Sequence, residues 1–158
     1  MKKKILRYVS LCLLLIWMSI IFFFSSQPAA ASNNTSGGIV EKVAAAVYPS
    51  YDKLNDAQKA SVISNMSGAV RKSAHFFEYA VLGALIYIFV STFKGLSGTY
   101  HLIISLVSGL LYAISDEVHQ LFVEGRSCGF TDVMIDFAGV LIAAVVCYLI
   151  SLRRSKGE

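Results

Sequence analysis

The chain has 158 residues, 56% of them hydrophobic and 15% charged, with a mean hydropathy of +0.63 and a formal net charge of +4. A soluble domain of this length carries more polar surface, so that class is excluded and a small helical membrane protein is expected. The positive balance comes largely from the two ends of the chain, which reads as membrane topology and contact with anionic lipid and excludes a nucleic-acid partner.

The first apolar run, 5–24, follows three lysines and carries a single charge, Arg7, at its start. Its basic start and the AAA at 29–31 resemble a signal peptide, but 20 residues exceed the usual core of about 7–15, so a retained span is expected. The connection that follows, 25–73, opens with SSQPAAASNNTSGG, which predicts a flexible stretch. Two short amphipathic helices are then expected on the outer surface: one over 39–48, stopped at Pro49, and one from Asp56 as N-cap to Val70. Three further spans are predicted at 74–93, 100–118 and 133–152, each near the roughly 20 residues a bilayer crossing needs. In hydrocarbon the backbone must satisfy itself, so all four spans are helices.

Short connections at 94–99 and 123–130 make neighbouring spans antiparallel and adjacent. The expected fold is therefore all-α, a single domain over 1–158 built as a four-helix transmembrane bundle. Gly83, Ala84, Ser105, Ser108, Gly109, Gly139 and Ala143 permit close helix approach. Of the 14 lysines and arginines, eight fall beside the termini or in the 94–99 link and six on the other side. That bias predicts a multi-pass protein of the cell membrane with both termini cytoplasmic. Three cysteines give no disulfide framework.

Charge is concentrated where it is hardest to bury. Residues 114–136, ISDEVHQLFVEGRSCGFTDVMID, hold five of the ten acidic residues. Arg71, His75 and Glu78 share one face of the second span, and Gly109, Tyr112, Asp116 and His119 one face of the third. Asp132, Asp136, Gly139 and Ala143 do the same in the fourth. Polar groups at membrane depth turn toward the protein interior, so these stripes predict one outward-facing pocket. Its expected lining is Arg71, His75, Glu78, Asp116, Glu117, His119, Gln120, Arg126, Asp132 and Asp136.

For most of these residues a plain structural role competes with a functional one. Arg126 can pair with Asp132 or Glu117 across the loop, and His119 can lock onto Asp116 one turn away. Glu117 and Glu124 are expected to be solvated at headgroup level. Asp136, about 6 Å below Asp132 in an otherwise uncharged span, is either a functional group or a partner of Arg71 or His75. The chain has no HExxH and no cysteine pair, so no metal or other cofactor is expected. GRSCG at 125–129 has the GxSxG spacing but lies in a link between two helical spans and not after a strand, so it does not support a nucleophile elbow at Ser127.

FFSSQP at 23–28, KSAHFFEYAVLG at 72–83 and SDEVHQLFVEGRSCGFTDVMIDFAG at 115–139 resemble, in this order, the VanZ-like family of small bacterial membrane proteins. Members usually carry Asn near the position of Asp136, where this chain departs. The namesake is associated with resistance to teicoplanin, which acts outside the membrane. The resemblance therefore implies membrane lipids and a lipid-linked cell-wall precursor or lipoglycopeptide as partners. Three readings stay open. One is a binding protein for such a headgroup. Another is a membrane hydrolase or transferase, with His119 or Glu78 as general base and Arg126 or Arg71 on phosphate. The third is an ion-coupled carrier, which four spans would require to be a dimer.

Overall fold

The computed structural model describes residues 2–156, though not the side chains of 2, 3, 33–36, 155 and 156. The side-chain charges of Lys2, Lys3 and Lys156, which count toward the cytoplasmic bias, thus lie outside what is described. In chain order the helices are α1 (Lys2–Ser25), α2 (Ala29–Val47), α3 (Asp56–Ser91), α4 (Gly98–Gln120) and α5 (Phe130–Lys156), with a single 3₁₀ turn at Tyr51–Lys53. Helices α1, α3, α4 and α5 are long and apolar enough to cross a membrane. Large apolar side chains such as Phe22, Leu111 and Ile142 remain exposed on them, as a lipid-facing surface requires.

The connection between the first two spans differs from expectation in three ways. Pro28 starts a helix immediately, so the stretch expected to be flexible lies within α2. Its first amide, Ala29 N–H, donates to the Glu124 carbonyl (3.1 Å) and ties the helix start to the 121–129 loop. The helix ends at Tyr48, which adopts an extended conformation, as residues before proline do. The second amphipathic helix is not separate. Residues 56–70 are the first turns of the 36-residue α3, because nothing between 56 and 91 breaks a helix; the hydropathy changes but the backbone has no reason to stop. The N-cap is Asn55, one residue before the one expected. Its side chain accepts from Gln58 N–H (2.9 Å) while Gln58 Oε1 accepts from Asn55 N–H (3.0 Å). At about 54 Å, α3 exceeds a hydrocarbon core of about 30 Å, and α2 packs against it.

Helices α3 and α5 form the most extensive contact in the bundle. Glycine permits it from both sides. A Cβ on Gly83 would stand 2.7 Å from the Val140 carbonyl oxygen, and one on Gly139 would overlap the Phe76 carbonyl and the Ala80 amide. Gly109 of α4 accepts the Val140 side chain in the same layer. Around this crossing Tyr79, Leu82, Ala113 and Val140 are fully buried with Ile21 of α1.

Hydrogen bonds to backbone carbonyls add α1 to the other three spans. Trp17 Nε1 donates to Glu78 O (2.9 Å) and Met18 O accepts from the Tyr112 hydroxyl (2.7 Å). At the end holding the chain termini, Arg7 donates to Thr92 O (3.0 Å) beyond the end of α3 and lies over the Phe93 ring. The opposite end gathers α2, the start of the spanning part of α3, and the 121–129 loop.

Gly139→Val places side-chain atoms against backbone that cannot yield, and a loss of about 1–3 kcal/mol or more is expected in unfolding of detergent-solubilised protein. Gly68, also within α3, has no neighbouring atom within 4 Å of the place a Cβ would take. Gly68→Ala is therefore expected to be neutral or to stabilise by about 0.5–1 kcal/mol. Equal losses at both positions would contradict the close α3–α5 approach.

Candidate functional site

Helical register sets the site. His75 and Tyr79 lie one turn apart on α3, Asp116 and Gln120 on α4, and Asp132 and Asp136 on α5. In the deepest layer one donor atom from each of His75, Asp116 and Asp136 comes within 4.8 Å of the others. Asp136 is 1% exposed, and neither of its carboxylate oxygens has a hydrogen-bond partner among the described residues. Asp116 is 4% exposed and half satisfied. Its Oδ2 accepts from Ser25 Oγ (2.8 Å) and Gln120 Nε2 (3.1 Å), while Oδ1 is unpartnered. The Tyr79 hydroxyl is fully buried beside Asp116 and meets no acceptor in good hydrogen-bond geometry among the described residues. Burying an ion costs several kcal/mol even after relaxation, which partners must offset. Packing alone does not explain Asp136.

Above this layer most charges are paired. Lys72 Nζ meets Asp132 Oδ1 at 3.2 Å. Glu117 is buried and accepts from Gly129 N–H (3.2 Å), so it is not the solvated headgroup-level residue expected from sequence. Gly125, at φ +72°, turns the chain so that Arg126 points back to α1. Arg126 Nε donates to Gln27 O (3.1 Å), Nη2 to Phe24 O (3.1 Å) and Nη1 to Gln120 Oε1 (3.4 Å). A cation capping the carbonyl end of α1 is favourable by position as well as by hydrogen bonding. Burial and then neighbouring Arg71 pull the Arg126 pKa below its ordinary value. Arg71 itself has no hydrogen bond or ion pair among the described residues.

Two cavities meet at Arg71, His75 and Arg126. A small polar one of about 40 Å³ is also lined by Glu117, Gln120 and Asp132. A larger one, about 290 Å³, runs between α1, α2 and α3, with apolar Phe24, Ile39 and Val70 in the same lining as Arg71, His75 and Glu78. A still larger concavity of about 630 Å³ is lined by α1 residues alone, with no charged side chain in its lining, and is relief on an apolar, exposed helix face.

Nine of the ten sequence-predicted residues therefore gather at this end on or beside these cavities or in the layer beneath them. His119 is placed differently. Its ring stacks on Phe22 (centroids 4.5 Å apart) and its Nε2 lies 3.1 Å from Ser26 Oγ, so it lines neither cavity and does not lock onto Asp116. Arg126 is occupied by α1 carbonyls instead of Asp132 or Glu117. Glu78 Oε2 stands 3.7 Å from His75 Nδ1. The exposed Cys128 thiol is raised in pKa by desolvation first and then by Glu117, which disfavours the thiolate a nucleophile needs. Sequence reasoning missed Ser25, Tyr79 and the pairing role of Lys72. Tyr79 carried a signal, since it follows His75 by one turn on the same stripe.

The two arginines are expected to separate on substitution. Arg126→Lys loses the fork that reaches three acceptors, and thermal unfolding in detergent should show a loss of about 1.5–3 kcal/mol. Arg71→Gln should stay within about 0.5 kcal/mol of the parent. A stability loss at Arg71 matching that at Arg126 would mean that both are structural.

No curated protein and no solved structure matches the chain. The VanZ/LLP1 family model, however, matches residues 10–151, a stretch that includes every residue of the polar site and all but the outermost turns of the four long helices. With four helices able to cross a membrane and this match over most of its length, the chain is a multi-pass membrane protein that belongs to the VanZ-like family.

Proposed function

We propose that the protein holds the phosphate-bearing headgroup of an amphiphile, of the lipid-linked envelope-precursor class, in a pocket at the outer face of the cell membrane. The observation that carries this reading is Arg71. It is a guanidinium without a partner among the described residues, in the wall of a cavity also lined by apolar Phe24, Ile39 and Val70. A second guanidinium, Arg126, lines the same cavity, its fork engaged with Gln27, Phe24 and Gln120. One open guanidinium fork with a second positive charge beside it and apolar side chains in the same lining suits a phosphate attached to a lipid. The cavity volume favours a headgroup over a whole glycopeptide, because about 290 Å³ is at the lower edge of pockets for drug-sized molecules. A contribution to teicoplanin-type resistance would then act through the precursor and not through enclosure of the drug.

The outward orientation rests on charge. Arg7, Lys94, Arg153 and Arg154 lie at the end away from the pocket. Lys72, at the pocket end, is engaged with Asp132, and Arg71 faces the cavity, so both have local reasons to be there. A catalytic reading has one specific support: the His75–Glu78 pair lines the same cavity as the arginines, where a general base would be needed. Release of inorganic phosphate from a polyprenyl diphosphate, lost in Glu78→Gln, would distinguish a hydrolase from a binding protein.

Two measurements test the proposal. Native mass spectrometry of the purified protein with a polyprenyl phosphate is expected to show a complex that phosphatidylcholine does not form. Arg71→Gln should weaken it roughly 10–100-fold without loss of fold. Unchanged affinity in that variant would overturn the headgroup reading. Separately, in a background lacking the native cysteines, Ser127→Cys should react with a membrane-impermeant thiol reagent in intact cells and Ser97→Cys should not. The reverse pattern would place the pocket on the cytoplasmic side.

A further inference from the structure

The layer beneath the pocket contains more than the headgroup reading uses. His75, Asp116 and Asp136 come from three different helices, and a donor atom of each lies within 4.8 Å of the other two. Both oxygens of Asp136, one oxygen of Asp116 and the Tyr79 hydroxyl are buried without a hydrogen-bond partner among the described residues. Asp136 and Tyr79 are 1% and 0% exposed. Buried polar groups are almost always satisfied, and several unsatisfied ones meeting at a point mark a missing partner.

We infer that this partner is a single divalent transition-metal cation, Zn²⁺ or Mn²⁺, held by His75, Asp116 and Asp136. One imidazole nitrogen and two carboxylate oxygens form a donor set suited to these ions, and two carboxylates cancel the charge of one dication. The imidazole favours a transition metal over Mg²⁺ or Ca²⁺. Ser25 and Gln120 hold the second oxygen of Asp116, which orients the carboxylate as partners behind a metal ligand do. The 40 Å³ cavity lined by His75 has space for about one to three waters, which would complete the coordination of such an ion. Neither HExxH nor a cysteine pair announces the site, because its ligands are brought together only by helix packing. The cation site does not depend on what occupies the pocket above it.

Tag-free protein in detergent, stripped with EDTA and then dialysed against Zn²⁺ or Mn²⁺, is expected to retain one ion per chain by elemental analysis. Its unfolding temperature should rise on the order of 5 °C at saturating metal. Asp136→Asn and His75→Gln should weaken binding by at least about tenfold. Asp56→Asn, which removes a carboxylate in the first turn of α3, well away from His75, should retain the ion. Should a ligand variant fail to fold, the wild-type stoichiometry and temperature shift still decide. No ion retained by wild type, or equal retention by wild type and a folded Asp136→Asn, would overturn the inference and leave the carboxylates neutralised by protons alone.

Discussion

The backbone contact of Gly139 with Phe76 and Ala80 is the constraint on which the polar site depends. Gly139 lies one turn beyond Asp136, while Phe76 follows His75 and Ala80 follows Tyr79. The closest approach of α3 and α5 therefore falls immediately beside the groups that face each other across the helix interface. A side chain at Gly139 would separate the helices at the level where His75 and Asp136 meet. Without a hydrophobic force between helices in lipid, such small-residue contacts are what hold a bundle at a defined spacing.

Above that contact the polar residues divide by what surrounds them. Arg126, Gln120, Glu117, Lys72 and Asp132 have partners, and together they bind the loop, α1 and α3 into one end of the bundle. Among the described residues His75 Nδ1, Asp116 Oδ1, both oxygens of Asp136 and the Tyr79 hydroxyl have no hydrogen-bond partner, and Arg71 has no ion pair. A network evolved only for rigidity would satisfy its deepest members first, because those are the most costly to leave alone. Here the deepest members are open. That distribution suits a ligand below and an anion above, with His75 in the wall between them.

Much of this arrangement is legible in the sequence, for identifiable reasons. The spans follow from apolar length, and the glycines at 83, 109 and 139 signal close packing. The polar stripes of α3, α4 and α5 follow from spacing alone. Other features are not legible. Asp116 and His119, at i and i+3, are about 60° apart around the helix, and a small rotation decides which one faces the interior. Asp116 does, and His119 meets Phe22. Arg126 binds backbone carbonyls, which no side-chain pattern announces. The continuity of α3 is hidden because its solvent changes near Arg71 while its helix-forming residues do not.

Asp136 is held in this site against its own solvation, so its removal distinguishes a ligand group from a packing group. The decisive quantity is the unfolding free energy of Asp136→Asn in EDTA-treated, detergent-solubilised protein. With a buried carboxyl that has no hydrogen-bond partner among the described residues exchanged for a neutral amide of the same shape, the variant is expected to be at least as stable as wild type. A variant less stable than wild type under the same conditions would show that Asp136 is a structural partner within the bundle, and the ligand-bearing layer would have to be abandoned.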